Sequence, residues 1–194
     1  GGYAFSADSP NTVFIMSVEW PPFALSALKA SACEAQARLR EAGHASAQPH
    51  LSMPAAELFA SAVLPLAVAK TISVSSTYAV GDCGPAVGTI SAMHSGNGQM
   101  RAILEAIQSM DTPFVSVKIP REANLDADRL SHPKQLELVL REAEALGLRV
   151  IELCPSADDW DVLQRAIDQP PATRPRKRPK SQHLSASVLP VAAP

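Results

Sequence analysis

Ile72-Ser73-Val74-Ser75-Ser76-Thr77-Tyr78-Ala79-Val80 runs directly into Gly81-Asp82-Cys83-Gly84-Pro85. The first nine residues are rich in β-branched and aromatic side chains and predict a buried strand. The Gly- and Pro-bearing five predict a sharp turn into a helix. Upstream, Ser52-Met53-Pro54-Ala55-Ala56-Glu57 opens a helix with Ser52 as N-cap. That helix continues through Leu58, Phe59, Val63, Leu64 and Val68, and Pro65 is expected to kink it by removing an intrahelical donor. Downstream, residues 85–94 read as a short helix and 99–110 as another, with Met100, Ile103, Leu104 and Ile107 at helical spacing. A strand entered from one helix and left through another is the building unit of an α/β fold.

The flanking segments fit the same class. Tyr3–Ser6 and residues 12–18 read as two strands joined by the turn-forming Asp8-Ser9-Pro10-Asn11. Pro21-Pro22 opens a helix running to Ala42, with Gly43 just past its end. Phe114–Ile119 is a strand closed by Pro120, followed by a polar stretch over 121–131. A helix over 133–146 ends at Gly147, then come a strand over 148–153 and a helix over 157–168. The expectation is a mixed sheet flanked by helices: two antiparallel strands first, then strands reached through helical crossovers.

With 46% apolar residues in 194, the chain has the composition of a globular protein. No run of about 18 apolar residues is apparent, so no membrane partner is expected. Gly1-Gly2-Tyr3-Ala4-Phe5 lacks the basic and apolar regions of a signal peptide and reads as cut from a longer chain. Cys33, Cys83 and Cys154 are odd in number and widely spaced, which argues against a disulfide framework and for a reducing, intracellular setting. The net charge of −2 is uneven. Residues 169–194 hold five basic groups and no acid, and residues 1–168 hold 12 basic against 19 acidic, a net of −7. The Pro-, Ser- and Ala-rich tail is expected to be disordered, and Arg174–Lys180 suits nuclear targeting or a nucleic-acid patch. An acidic body binds phosphate backbones poorly unless cations intervene.

Three acids stand where the elements can aim them at one place. Asp82 follows a strand at its carboxyl end, where α/β ligand sites form. Glu57 is expected on the first turn of the preceding helix, and Asp128 in the polar stretch after the next strand. Carboxylates gathered at a sheet end repel one another unless cations neutralise them, and Mg²⁺ prefers such oxygen ligands. A second reading of the same turn makes Cys83 a nucleophile with His94 or His132 as base, in a cysteine hydrolase. Trp20 and Trp160 are candidates for stacking on bases, with core packing as the plainer role.

Residues 118–132, Lys-Ile-Pro-Arg-Glu-Ala-Asn-Leu-Asp-Ala-Asp-Arg-Leu-Ser-His, resemble the closing motif I-P-x-x-x-N-x-x-A-D-x-L-S-R of ribonuclease H domains from reverse-transcribing elements. Ile119, Pro120, Asn124, Ala127, Asp128, Leu130 and Ser131 match, and His132 replaces the usual Arg. Val80–Val87 is similar to that family's strand ending in D-N-x-x-A-V, with Cys83 in place of Asn, and Ala56–Ala60 to its helix motif E-L-x-A. The resemblance covers residues 1–132 and is nearest to DIRS-like retroelements and hepadnaviruses. It extends through residues 133–168, which look similar to the helix and strand after the family's A-D motif, and leaves 169–194 as the tail.

This resemblance implies a ribonuclease H-like fold and hydrolysis of the RNA strand of RNA–DNA hybrids, beside a reverse transcriptase domain in the same polyprotein. It implies two Mg²⁺ ions held by Glu57, Asp82 and Asp128, with Lys118, Arg121 and Arg129 as candidates for phosphate contacts. It also implies a further aspartate on a strand just before the Gly1-Gly2-Tyr3 step; Asp8, in the next turn, is a poor substitute. Activity is expected where that upstream aspartate is present; a non-catalytic structural or hybrid-binding module with the same fold is the alternative, and a fragment without the aspartate favours it.

Overall fold

Val13, Phe14, Ile15 and Met16 are all buried, where a one-sided strand would alternate. They belong to a strand covered on both faces. The computed structural model describes residues 1–40 and 49–169. Half of the expected 44–53 loop, and the expected disordered tail beyond Gln169, lie outside them. In chain order the elements are β1 (Gly2–Ser6), β2 (Ser9–Met16), α1 (Pro22–Arg40), α2 (Met53–Thr71), β3 (Thr77–Gly81), α3 (Gly84–Ala92), α4 (Gly98–Gln108), β4 (Phe114–Lys118), α5 (Leu125–Leu130), α6 (Pro133–Ala145), β5 (Arg149–Glu152) and α7 (Ala157–Ile167). A single 3₁₀ turn, Arg121–Ala123, precedes α5. The fold is α/β, as expected.

β2 is the middle of a three-stranded mixed sheet, antiparallel to β1 and parallel to β5. The period-two rule sends its side chains to alternate faces. Val13 and Ile15 meet Leu130 and the α6 side chains Leu136, Val139, Leu140 and Ala143. Phe14 and Met16 join the larger core formed with α1, α2, α4 and α7. Residues 133–168 thus complete the sheet and core of residues 1–132: α6 roofs one face, β5 extends the sheet and α7 packs against α4, α2 and α1.

α2 is the central helix. Ala55, Leu58, Phe59, Ala62, Val63 and Ala67 are all buried, so it is apolar around most of its circumference. By length and composition it could cross a membrane, although no run of 18 apolar residues is apparent in the sequence; here half of its most apolar stretch is buried under strands and helices of the same fold. It continues as helix through Pro65 to Thr71. Trp20 and Trp160 both pack against its Phe59 as tilted ring pairs, at centroid distances of 6.0 and 5.7 Å.

Two expectations change. The strand expected from Ile72 begins only at Thr77, because α2 runs on to Thr71 and, among the described residues, β3 finds its ladder in the five-residue β4, bounded by Pro113 and Pro120. Strand structure extends only as far as a partner does. The sheet is also divided: β3 and β4 form a separate parallel pair, and among the described residues no ladder joins them to β1–β2–β5.

Candidate active site in the groove between the two sheets

A groove of about 1370 Å³ lies between β1 and β3. Its floor is one face of α2, carrying Glu57, Ser61, Leu64 and Val68 at helical spacing. A Cβ placed on Gly2 would come within 3.2 Å of Leu64, and one on Gly81 within 3.8 Å of Ser61, so both strands press on neighbouring turns of the helix. One end is closed by the 3₁₀ turn and α5, which bring Arg121, Asn124 and Asp128 to the lining.

Glu57, Asp82 and Asp128 all line this groove. Because α2 starts at Met53, Glu57 stands one turn further in than expected. Burial raises its carboxyl above the usual range, and the charge of Asp82 adds to the rise. The charge of Arg121 opposes the rise. Asp82 leaves the end of β3, and its Oδ1 accepts a 3.2 Å hydrogen bond from Asn124 Nδ2. Asn124 also accepts, through its carbonyl, the Asp128 N–H at 3.1 Å, so one residue links the settings of two acids. Gly1 approaches closely: a Cβ there would meet the Leu130 carbonyl at 2.3 Å.

The three expected phosphate contacts separate. Arg121 lines the groove. Lys118 ends β4 beside Gly81, with its ammonium 3.5 Å from where a Gly84 Cβ would be, at the start of α3. Arg129 is engaged elsewhere: it grips Glu142 through two bonds of 2.8 and 2.9 Å and Asp126 at 3.4 Å, tying α5 to α6. Asp126 is thereby held outside the groove lining, whereas Asp128 is part of it. Cys83 lies in the lining, but neither His94 nor His132 does. The role of Asn124 went unassigned in the sequence, although its place four residues before Asp128 put both on one helical side.

The donor set suits Mg²⁺ in kind, being carboxylate oxygens at one end of a groove. Among the described residues, no three of His, Cys, Asp and Glu close round a single ion. No protein-family model, curated protein or solved structure matches the chain.

Proposed function

We propose that this chain carries a ribonuclease H-like domain of a reverse-transcribing element, acting on the RNA strand of RNA–DNA hybrids. The observation that supports it is that Glu57, Asp82 and Asp128, distant in sequence, all line one groove. Those are the positions that the family's motifs single out. In this reading the three carboxylates hold Mg²⁺, and Asn124 fixes the orientation of Asp82. Arg121 offsets the charge of the acids and faces an incoming phosphate. Bound Mg²⁺ ions supply the Lewis acidity and the activated water that phosphodiester hydrolysis needs. The partner would be a reverse transcriptase domain of the same polyprotein, and the basic tail suits a nuclear step.

Incubation of the chain with a labelled hybrid and Mg²⁺ tests the reading. Cleavage should fall by more than about 100-fold in Asp82→Asn, since groups one step removed from a metal already cost up to that much. Cleavage that survives the substitution contradicts the metal site.

The second reading is a hybrid-binding module of the same fold without catalysis. The spread of the three acids, no three of which close round one ion among the described residues, favours it. Hybrid binding with no cleavage in the unsubstituted chain is its signature.

A further inference from the structure

We infer that Arg129 and Glu142 are positioning residues: their ion pair fixes the roll of α5 about its own axis, and with it the direction in which Asp128 meets the groove. The consequence for a metal rests on the nuclease reading; the geometry does not. α5 has six residues, too few for a helix to hold itself by its own hydrogen bonds, so ties from outside set its place. One is Leu130, fully buried among Val13 and Ile15 of β2 and Ala143 of α6. Its carbonyl accepts a 2.7 Å bond from Ser17 Oγ. These ties pin one end of the helix and leave it free to pivot there. The Arg129 guanidinium adds a second direction, through paired bonds of 2.8 and 2.9 Å to the two oxygens of Glu142 on α6.

A fork of this kind constrains angle as well as distance, because two parallel bonds join a planar guanidinium to a planar carboxylate. Neighbouring residues of a helix point about 100° apart. With Leu130 aimed into the core and Arg129 at α6, Asp128 comes next round the helix, on the side it shares with Asn124 four residues earlier. Both line the groove, and Asn124 there binds Asp82. At a helix radius of about 5–6 Å a roll of about 10° moves a carboxylate by about 1 Å, more than the roughly 0.5 Å within which a binding constellation must be held. Asp126, 3.4 Å from the same guanidinium, steadies it from within α5. The side chains of Arg129 and Glu142 are 26% and 51% exposed, so the pair adds little to the stability of the whole fold. Its effect is local.

Hydrogen exchange on the 194-residue chain in metal-free buffer tests the geometry apart from any catalysis. The amides of Asp128, Ser131 and His132 bond to the carbonyls of Asn124, Asp128 and Arg129. They should exchange about fivefold faster in Arg129→Met and in Glu142→Gln, with the amides of β2 and α2 unchanged. The double substitution should be no worse than either single one. Arg129→Lys, which keeps the charge but not the fork, should fall between. Titration with Mg²⁺ then separates direction from charge. Only the oriented fraction binds, so apparent Mg²⁺ affinity should fall about fivefold in both single variants. A pair acting through charge alone would shift it in opposite senses, tighter in Arg129→Met and weaker in Glu142→Gln. Opposite shifts, unchanged exchange over 128–132, or faster exchange that spreads to β2 and α2 overturns the proposal. Faster local exchange in a chain that binds no Mg²⁺ refutes the nuclease reading instead and leaves the clamp on α5 standing.

Discussion

Glu57 shows how much one side chain's setting determines. Its carboxyl titrates above the usual range because burial and Asp82 disfavour the charged form. A carboxylate with a raised folded pKa burdens the fold where it must ionise. The penalty is absent below the unfolded pKa, grows as pH rises towards the folded one, and is complete above it. Glu57→Gln should therefore raise the melting temperature near neutral pH, and the gain should vanish at about pH 4; thermal melts across that range, in metal-free buffer, check it. Asp159 is an acid that hydrogen bonds hold in place. It is buried, completes a capping box with Ser156, and accepts a 2.8 Å bond from Lys70 at the end of α2. Asp159→Ala removes a cap and a partly buried ion pair together and should cost about 2 kcal/mol in a denaturant titration. At this scale the motif words separated Asp128, in the groove, from Asp126, which is 61% exposed and paired with Arg129. They could not foresee that Arg129 would be spent on Glu142, because that partner comes from another helix.

Helices were the more legible elements, because their signals are local. Gly147 was expected to end the helix before it, and it adopts a left-handed φ of 73° just past α6. Gly147→Ala forces a Cβ into that conformation and should lower stability by about 1 kcal/mol, measured by chemical denaturation. α7 begins at a Ser–Asp capping box that can be read from three residues. Strands were less legible, because their length depends on the partner. Ile72–Ser76 has strand composition but no ladder, and β3 shrinks to the five residues that β4 can pair. The polar segment after Pro120 hid a 3₁₀ turn and α5, whose single buried side chain, Leu130, gives no periodic signal.

For the molecule as a whole, the α/β class followed from the order of elements, whereas the division into two sheets did not. Nothing local marks the gap, since the alternation along β1 and β3 tells which face is covered and not how many edges are paired. The groove that results gathers the acids at one end, and the function proposed here depends on their binding Mg²⁺ together. Thermal unfolding of the chain in increasing Mg²⁺ measures that binding directly. A ligand held only by the folded state at a hundredfold excess over Kd adds about 2.7 kcal/mol. The account predicts a melting temperature that climbs with Mg²⁺ for the unsubstituted chain and stays flat for Glu57→Gln, Asp82→Asn and Asp128→Asn. A melting temperature indifferent to Mg²⁺, or one that climbs equally in all four proteins, contradicts it.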